Sequence, residues 1–357
     1  MKIKQILLVL LGGLLPHILN AGSTEDIYFS HIGMEEGLSH STIFAINQDK
    51  EGNLWFATYD GVNKYDGYNF TVYRHEYTDP NSIACDITRC IAIDDSDQIW
   101  VGTREGLSFY NRRKNTFSNY YYKKNGTNVA INSIAPIKED WLMLGTTEGI
   151  LLFDVKKECF LNDTLFSLHS LKPTVLARQG ECIYIGAEEG LYTYSLSGGK
   201  LEKLVSIPAD VRIHAVLCQM FSRIWMATEG NGLYMYDIKT KELKNYRSEN
   251  GQSGLISNYV RSLELDTENR LWVGTYSGLN IYKEATDSFS SIKSSEIQEG
   301  SLSQNSVRSI FRDSQGGMWL GTYWGGLNYY HPLCNRLQRV KHVPFLNSLS
   351  NNVVSCI

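Results

Sequence analysis

A sevenfold internal repeat constrains the fold of this chain more than any other feature of its sequence. A large apolar residue returns at intervals of about 44 residues; a small residue pair follows it, then a glycine with an aliphatic residue, and finally an aromatic residue. The seven large residues are Trp55, Trp100, Met143, Tyr184, Trp225, Trp272 and Trp319. A repeat of this length is typical of a β-propeller blade, and seven copies predict seven blades.

The residues around each large residue predict four antiparallel strands per repeat. Around Trp272, an inner strand is predicted at Ser262 and Leu263, a hairpin turn at Asn269 and an outer strand over residues 289–292. Turn-forming residues interrupt the pattern at short intervals, which excludes the long helical periodicity of an α-solenoid. We therefore predict an all-β fold, a seven-bladed β-propeller of four-stranded antiparallel blades.

The N-terminus has the composition of a secretory signal peptide. Lys2 and Lys4 precede an apolar run over residues 6–15, and small residues follow near Ala21. The apolar run is short for a membrane span, although an uncleaved anchor is the alternative interpretation. We predict a signal peptide over residues 1–21 and export to the periplasm.

The remaining domain limits follow from the repeat. We predict the propeller over residues 22–346 and interpret residues 347–357, which copy the approach to the last inner strand, as the truncated start of a second propeller. One outer strand is in surplus, because residues 28–32 show the outer-strand pattern before any inner strand. We predict that they complete the blade built on Trp319; in the alternative, residues 337–340 complete it.

Composition and motifs exclude several function classes. The net charge is −4 and no lysine-rich or arginine-rich run occurs, so nucleic acid is not expected as a partner. The 7 cysteines are scattered without a CxxC pair, and the histidines show no metal-ligand spacing. Because nucleophile-elbow, P-loop and zinc-protease motifs are also missing, we expect no cofactor, no metal and no catalytic residue.

The repeat pattern, hydrophobic-D-x-x-G-x-L-W-x-G-T-x-x-G-L-x-x-Y, is most complete over residues 263–282 and 310–330. It resembles the two-component regulator propeller repeat, from which Met143 and Tyr184 depart where the pattern has tryptophan. That family forms the extracytoplasmic part of glycan-responsive hybrid sensor histidine kinases. The resemblance implies a sensor module without phosphotransfer residues of its own. It also implies a second propeller and a membrane-linked kinase in the same full-length chain, which would be homodimeric and anchored in the inner membrane.

The predicted ligand-binding face lies where the loops between second and third strands meet the starts of the inner strands. The inner-strand starts supply Arg89, His214, Arg261 and Arg308. The loops supply Tyr59, Arg104, Tyr276, Tyr323 and Trp324. Aromatic surfaces beside arginines suit an oligosaccharide, which we expect as the ligand. In the structural alternative, the arginines pair with nearby carboxylates and the aromatic rings pack on the next blade.

Two other functions stay open at this point. A secreted lyase or glycan hydrolase would use carboxylates on this face, and a propeller fold does not decide between binding and catalysis. The loops contain Asp60, Glu105, Glu148, Glu188, Glu189 and Glu229, and no pair among them is singled out. A protein-binding propeller is the other alternative.

Overall fold

The computed structural model describes residues 27–138, 140–161, 171–208, 211–220, 222–249 and 254–334. The predicted signal peptide at residues 1–21, the alternative closing strand at residues 337–340 and the predicted further repeat at residues 347–357 lie outside this part of the chain. The described part contains no helix with the length and hydropathy that crossing a bilayer requires.

Blades 1 to 3 follow a short N-terminal strand, β1 (Ser30–Ile32). Blade 1 contains β2 (Ile43–Gln48), β3 (Leu54–Thr58), β4 (Val62–Tyr65) and β5 (Phe70–Tyr73). Blade 2 contains β6 (Thr88–Ile93), β7 (Ile99–Thr103), β8 (Leu107–Asn111) and β9 (Thr116–Tyr120). After a small hairpin of β10 (Lys123–Lys124) and β11 (Thr127–Asn128), blade 3 contains β12 (Ile131–Lys138), β13 (Trp141–Thr146), β14 (Gly149–Asp154) and β15 (Cys159–Phe160).

Blades 4 to 7 continue the same order. Blade 4 contains β16 (Pro173–Gln179), β17 (Cys182–Ala187), β18 (Gly190–Ser195) and β19 (Leu201–Ser206). Blade 5 contains β20 (Ile213–Gln219), β21 (Arg223–Thr228), β22 (Leu233–Asp237) and β23 (Leu243–Tyr246). Blade 6 contains β24 (Val260–Leu265), β25 (Leu271–Thr275), β26 (Gly278–Lys283) and β27 (Ser288–Ile292). Blade 7 contains β28 (Val307–Arg312), β29 (Met318–Thr322) and β30 (Leu327–Tyr330).

Every blade is a four-stranded antiparallel sheet, and blade 7 obtains its fourth strand from β1. Single turns of 3-10 helix occur at Met34–Glu36 and Glu284–Thr286. The prediction of an all-β, seven-bladed propeller is confirmed.

The first strands of the blades form the hub of the ring. Each contacts the first strand of the next blade, and β28 contacts β2, so that the circle is complete. The hub is crowded: a Cβ atom on Gly321 of β29 would lie 2.5 Å from the Cβ of Ile43 in blade 1 and would also collide with Ser309. Small residues are therefore required where neighbouring blades meet at the hub.

β1 closes the ring by forming the outer edge of blade 7. Ser30 lies opposite Tyr329 in the antiparallel ladder between β1 and β30. Phe29, which is 1% exposed, packs against Tyr330 with the ring centroids 6.3 Å apart. The predicted closure of the last blade by residues 28–32 is confirmed, and it pairs a sheet edge that would otherwise be open.

A buried hydrogen bond connects the tryptophan of a second strand to the turn before it. In blade 6, Asp266 Oδ1 accepts the backbone N–H groups of Glu268 and Arg270, while Asp266 Oδ2 accepts the indole N–H of Trp272 at 2.9 Å. The same indole bond joins Trp55 to Asp49, Trp100 to Asp94, Trp319 to Asp313 and, with an amide oxygen as acceptor, Trp225 to Gln219. The aspartate of the repeat therefore does more than form a turn.

Trp272→Ala should lower the free energy of unfolding by roughly 3–5 kcal/mol, as expected for a large buried aromatic side chain. Trp272 is 0% exposed and packs between blades 6 and 7, and its loss leaves the buried Asp266 carboxylate without one of its donors. Equilibrium denaturation measures the change. Tyr68→Ala is the control, since Tyr68 is 89% exposed in the turn between β4 and β5. A loss below about 1 kcal/mol for Trp272→Ala would mean that the blade assignment is wrong.

Ring closure is tested by comparing two shortened chains, one that begins at Ile27 and one that begins at Gly33. The second lacks β1, so β30 becomes an unpaired edge and Tyr330 loses its contact with Phe29. We expect a sharply lower melting temperature for the chain that begins at Gly33 and none of that loss for the chain that begins at Ile27. Equal melting temperatures of the two would contradict closure by β1.

Candidate ligand-binding site

Near its start, each inner strand has one residue that interrupts the regular register with the second strand. These seven bulge residues are Phe44, Arg89, Asn132, Thr174, His214, Arg261 and Arg308. They lie near the start of their strands, at the end of the ring that also carries the loops between second and third strands. A bulge redirects the side chain of its extra residue. The four residues predicted for this face at the inner-strand starts are therefore all bulge residues.

A cleft of about 810 Å³ lies at this end of the ring, across blades 6, 7 and 1. Its volume is in the range of about 300–1,000 Å³ that is usual for small-molecule sites. Six of the predicted residues line it: Tyr59, Arg261, Tyr276, Arg308, Tyr323 and Trp324. The lining is completed by Ser277, Lys293, Ser294, Ser303, Gln304, Asn305 and Ser306.

The cleft presents exposed aromatic rings. Trp324 is 60% exposed and Tyr276 is 56% exposed. Around Trp324, the ring of Tyr323 lies at 5.0 Å between centroids, and that of His40 lies at 6.1 Å. His40 in turn contacts Tyr59 at 5.7 Å. Such rings offer flat apolar surfaces on which a ligand ring can stack.

Buried polar side chains hold the loops of the cleft in place. Thr275 Oγ1 donates to the carbonyl oxygen of Gly278 and accepts the N–H of Ser277, which fixes the loop between β25 and β26. Asn328, fully buried in β30, accepts the N–H of Ser303 at 2.8 Å and donates to the Ser303 hydroxyl at 2.8 Å. The lining is therefore ordered before any ligand binds, which reduces the entropy lost on binding.

The two arginines of the cleft contact aromatic rings. The guanidinium of Arg308 lies 4.3 Å from the ring centroid of Phe44 and 6.0 Å from that of Tyr323. The guanidinium of Arg261 lies 5.4 Å from the ring centroid of Tyr276. Burial lowers the pKa of Arg308, and the positive charge of Arg261 lowers it further. The two cations are thus close enough to repel each other.

Three predicted residues do not line the cleft. Arg89 donates from Nη1 to Asn132 Oδ1 in the neighbouring blade. His214 Nε2 lies 3.6 Å from Glu229 Oε2, and partial burial lowers the pKa of this imidazole, with nearby arginines acting in the same direction. Arg104 is exposed in the loop between β7 and β8. His214 therefore lies beside a loop carboxylate, as in the structural alternative, whereas Arg89 pairs with an amide and not with a carboxylate.

Sequence reasoning missed several residues of the cleft. Phe44 occupies the same bulge position as the predicted arginines and could have been found by alignment of the repeats. Lys293 and residues 303–306 belong to the connection between blades 6 and 7; Lys293 precedes the segment that the repeat pattern covers, and residues 303–306 are at its start. Their hydrophilic composition does not distinguish them from an ordinary surface loop.

The acidic residues of the loops each have a polar or cationic partner. The pairs are Asp60 with Arg74, Glu105 with Asn128, Glu148 with Lys124, Glu188 with Lys172, Glu189 with Lys203, and Glu229 with His214. None of these acidic residues lines the cleft. Within the described ranges, no group of three or more His, Cys, Asp and Glu side chains could hold a metal ion.

Comparison with known proteins points to one family. The model of the two-component regulator propeller matches residues 37–60, 254–277 and 301–324. These segments belong to blades 1, 6 and 7, the blades that line the cleft. A segment of 49 residues, or 14% of this chain, is 49% identical to histidine kinase P4 of Formosa agariphila, of which it covers 4%.

Solved structures with the same fold include two extracellular domains of hybrid two-component systems from B. thetaiotaomicron. The first is 27% identical with a TM-score of 0.69, and the match covers 85% of this chain and 42% of that one. The second is 24% identical with a TM-score of 0.68, and the match covers 88% of this chain and 40% of that one. This chain thus spans about two fifths of the length of those domains. A streptogramin B lyase has the same fold at 10% identity, with a TM-score of 0.64.

The matched repeats and the shared fold lead to one conclusion. The chain carries two-component regulator propeller repeats and is similar to the extracellular domains of hybrid two-component systems.

Proposed function

We propose that this chain is the ligand-recognising propeller of an exported two-component receptor and that it binds an oligosaccharide in the cleft across blades 6, 7 and 1. The observation that carries the proposal is the cleft itself, in which two arginines lie beside exposed Tyr276 and Trp324. Aromatic faces stack on the apolar faces of sugar rings, and guanidinium groups donate to their oxygens.

The proposal includes the setting of the propeller. Signal-peptide composition at residues 1–21 supports export to the periplasm. The similarity to extracellular domains of hybrid two-component systems supports signalling to a histidine kinase in the same full-length protein. Further parts of the proposal are a second propeller, an inner-membrane anchor and a homodimeric full-length receptor.

We propose binding without catalysis for this segment. A glycan hydrolase or lyase acting at this cleft would place acid and base groups along it, and its charged lining residues are cationic. The acidic loop residues lie elsewhere, in pairs with other side chains. The fold shared with a streptogramin B lyase does not transfer its activity, because one fold supports many functions.

Calorimetry with a panel of neutral and acidic oligosaccharides tests the proposal. We expect at least one to bind and to be recovered intact. Trp324→Ala should weaken binding about threefold to tenfold, the effect of losing one stacking surface. Tyr68→Ala is the matched control, since this exposed aromatic lies at the opposite end of the ring.

Each other outcome would contradict a different part of the proposal. Release of shorter products would favour the enzyme alternative. Binding that Trp324→Ala leaves unchanged would place the site elsewhere. A panel with no binder would exclude the oligosaccharide and favour a protein-binding propeller.

A further inference from the structure

The charged groups that line the cleft all carry positive charge. They are Arg261, Lys293 and Arg308, and no carboxylate lines the cleft. The chain as a whole has a net charge of −4, so this local excess of cations runs against the overall balance. A cluster of like charges raises the energy of the empty site unless a counter-charge joins it.

Arg261 and Arg308 have no ionic partner among the described residues, whereas six other arginines do. Ion pairs join Arg74, Arg112, Arg178, Arg223, Arg247 and Arg270 to carboxylates. For Arg261 and Arg308, the described residues supply only aromatic rings. Their charges are therefore available to a ligand.

Two polar atoms of the cleft residues are buried without a hydrogen-bond partner. These are Arg261 Nη1 and the hydroxyl oxygen of Ser306. A buried donor of a charged group that makes no hydrogen bond is costly, and the cost is removed when an acceptor reaches it. An anionic oxygen is the strongest acceptor for a guanidinium.

Arg308 makes no hydrogen bond with any residue that the structure describes. Its guanidinium lies over the ring of Phe44, and a guanidinium in contact with a ring donates hydrogen bonds from its edge, in its own plane. A planar carboxylate or a sulfate matches this edge with two parallel hydrogen bonds. Neutral hydroxyl groups would satisfy the donors without neutralising the charge.

We propose that the cleft binds an acidic saccharide, whose carboxylate or sulfate lies between the guanidinium groups of Arg261 and Arg308 while a sugar ring stacks on Trp324 or Tyr276. This inference rests on the proposed function and adds the charge of the ligand. The carboxylate of a uronate and a sulfate group offer the two arginines the same anionic oxygens, so saccharides of both kinds are tested.

The experiment compares matched acidic and neutral ligands by calorimetry on the chain. One pair is tetragalacturonate and its methyl ester; the other is a sulfated galactose tetrasaccharide and the same oligomer with its sulfates removed. In at least one of the two pairs, the acidic member should bind at least about tenfold more tightly than its neutral partner, which is the effect of one charge-assisted hydrogen bond. Its affinity should fall as salt is added, whereas that of the neutral member should not.

Charge-removing variants connect the effect to the two residues. Arg261→Gln and Arg308→Gln should each remove most of the preference for the acidic member, and Arg308→Lys should retain part of it because the charge remains. Arg113→Gln is the matched control, since Arg113 is exposed in a turn at the opposite end of the ring. Melting temperatures show whether each variant is folded.

The outcomes separate this inference from the proposed function. If neutral and acidic members bind equally, or if both glutamine variants are folded and keep the full preference, the inference is wrong and the proposed function stands. If no member of either pair binds, and no oligosaccharide of the wider panel binds, both are wrong.

Discussion

The hydrogen bond that an indole N–H donates to a buried carboxylate or amide oxygen recurs in five of the seven blades and is the interaction on which their geometry depends. Blades stacked in a ring bury both faces of every sheet, so the N–H of an interface tryptophan cannot reach water. Asp266 accepts it and also receives two backbone N–H groups of its own turn. Arg312 of blade 7 donates to the Asp266 carbonyl oxygen. One residue therefore sets the turn, the position of Trp272 and the attachment of the next blade.

Much of the fold could be predicted because each blade repeats the same local requirements. The repeated large apolar residues, the turns and the outer strands were all predicted from the sequence pattern. The count of outer strands predicted that the N-terminal segment closes the ring. The role of the aspartate was predicted only in part. In the sequence, the hairpin turn is a sufficient reason for an aspartate at this position. Its hydrogen bond to an indole six residues later depends on how the hairpin twists.

The sequence predicted the end of the ring at which a ligand would bind, but it did not predict which part of that end forms the cleft. The repeat makes seven bulge positions equivalent, so sequence gives no reason to prefer Arg261 and Arg308 over Arg89. The choice depends on residues whose type differs from one repeat to the next. Asn132 satisfies Arg89 from the neighbouring blade, while the connection at residues 293–306 lies beside Arg308 and supplies no carboxylate to it. Contacts of this kind come from tertiary packing, which has no local signature.

Ring closure and the cleft share one stretch of backbone. The carbonyl oxygens of Gly300 and Ser301 accept hydrogen bonds from Phe29 N–H and the His31 ring, and the lining residues 303–306 follow at once. Binding of the proposed ligand and closure of the ring would then be thermodynamically linked. A ligand that binds the closed ring more tightly than the open one strengthens the attachment of the N-terminal strand by the same free energy by which that attachment strengthens binding. The contact between β1 and blade 7, where no covalent bond closes the ring, is thus the place where binding of a ligand would most affect the stability of the closed ring.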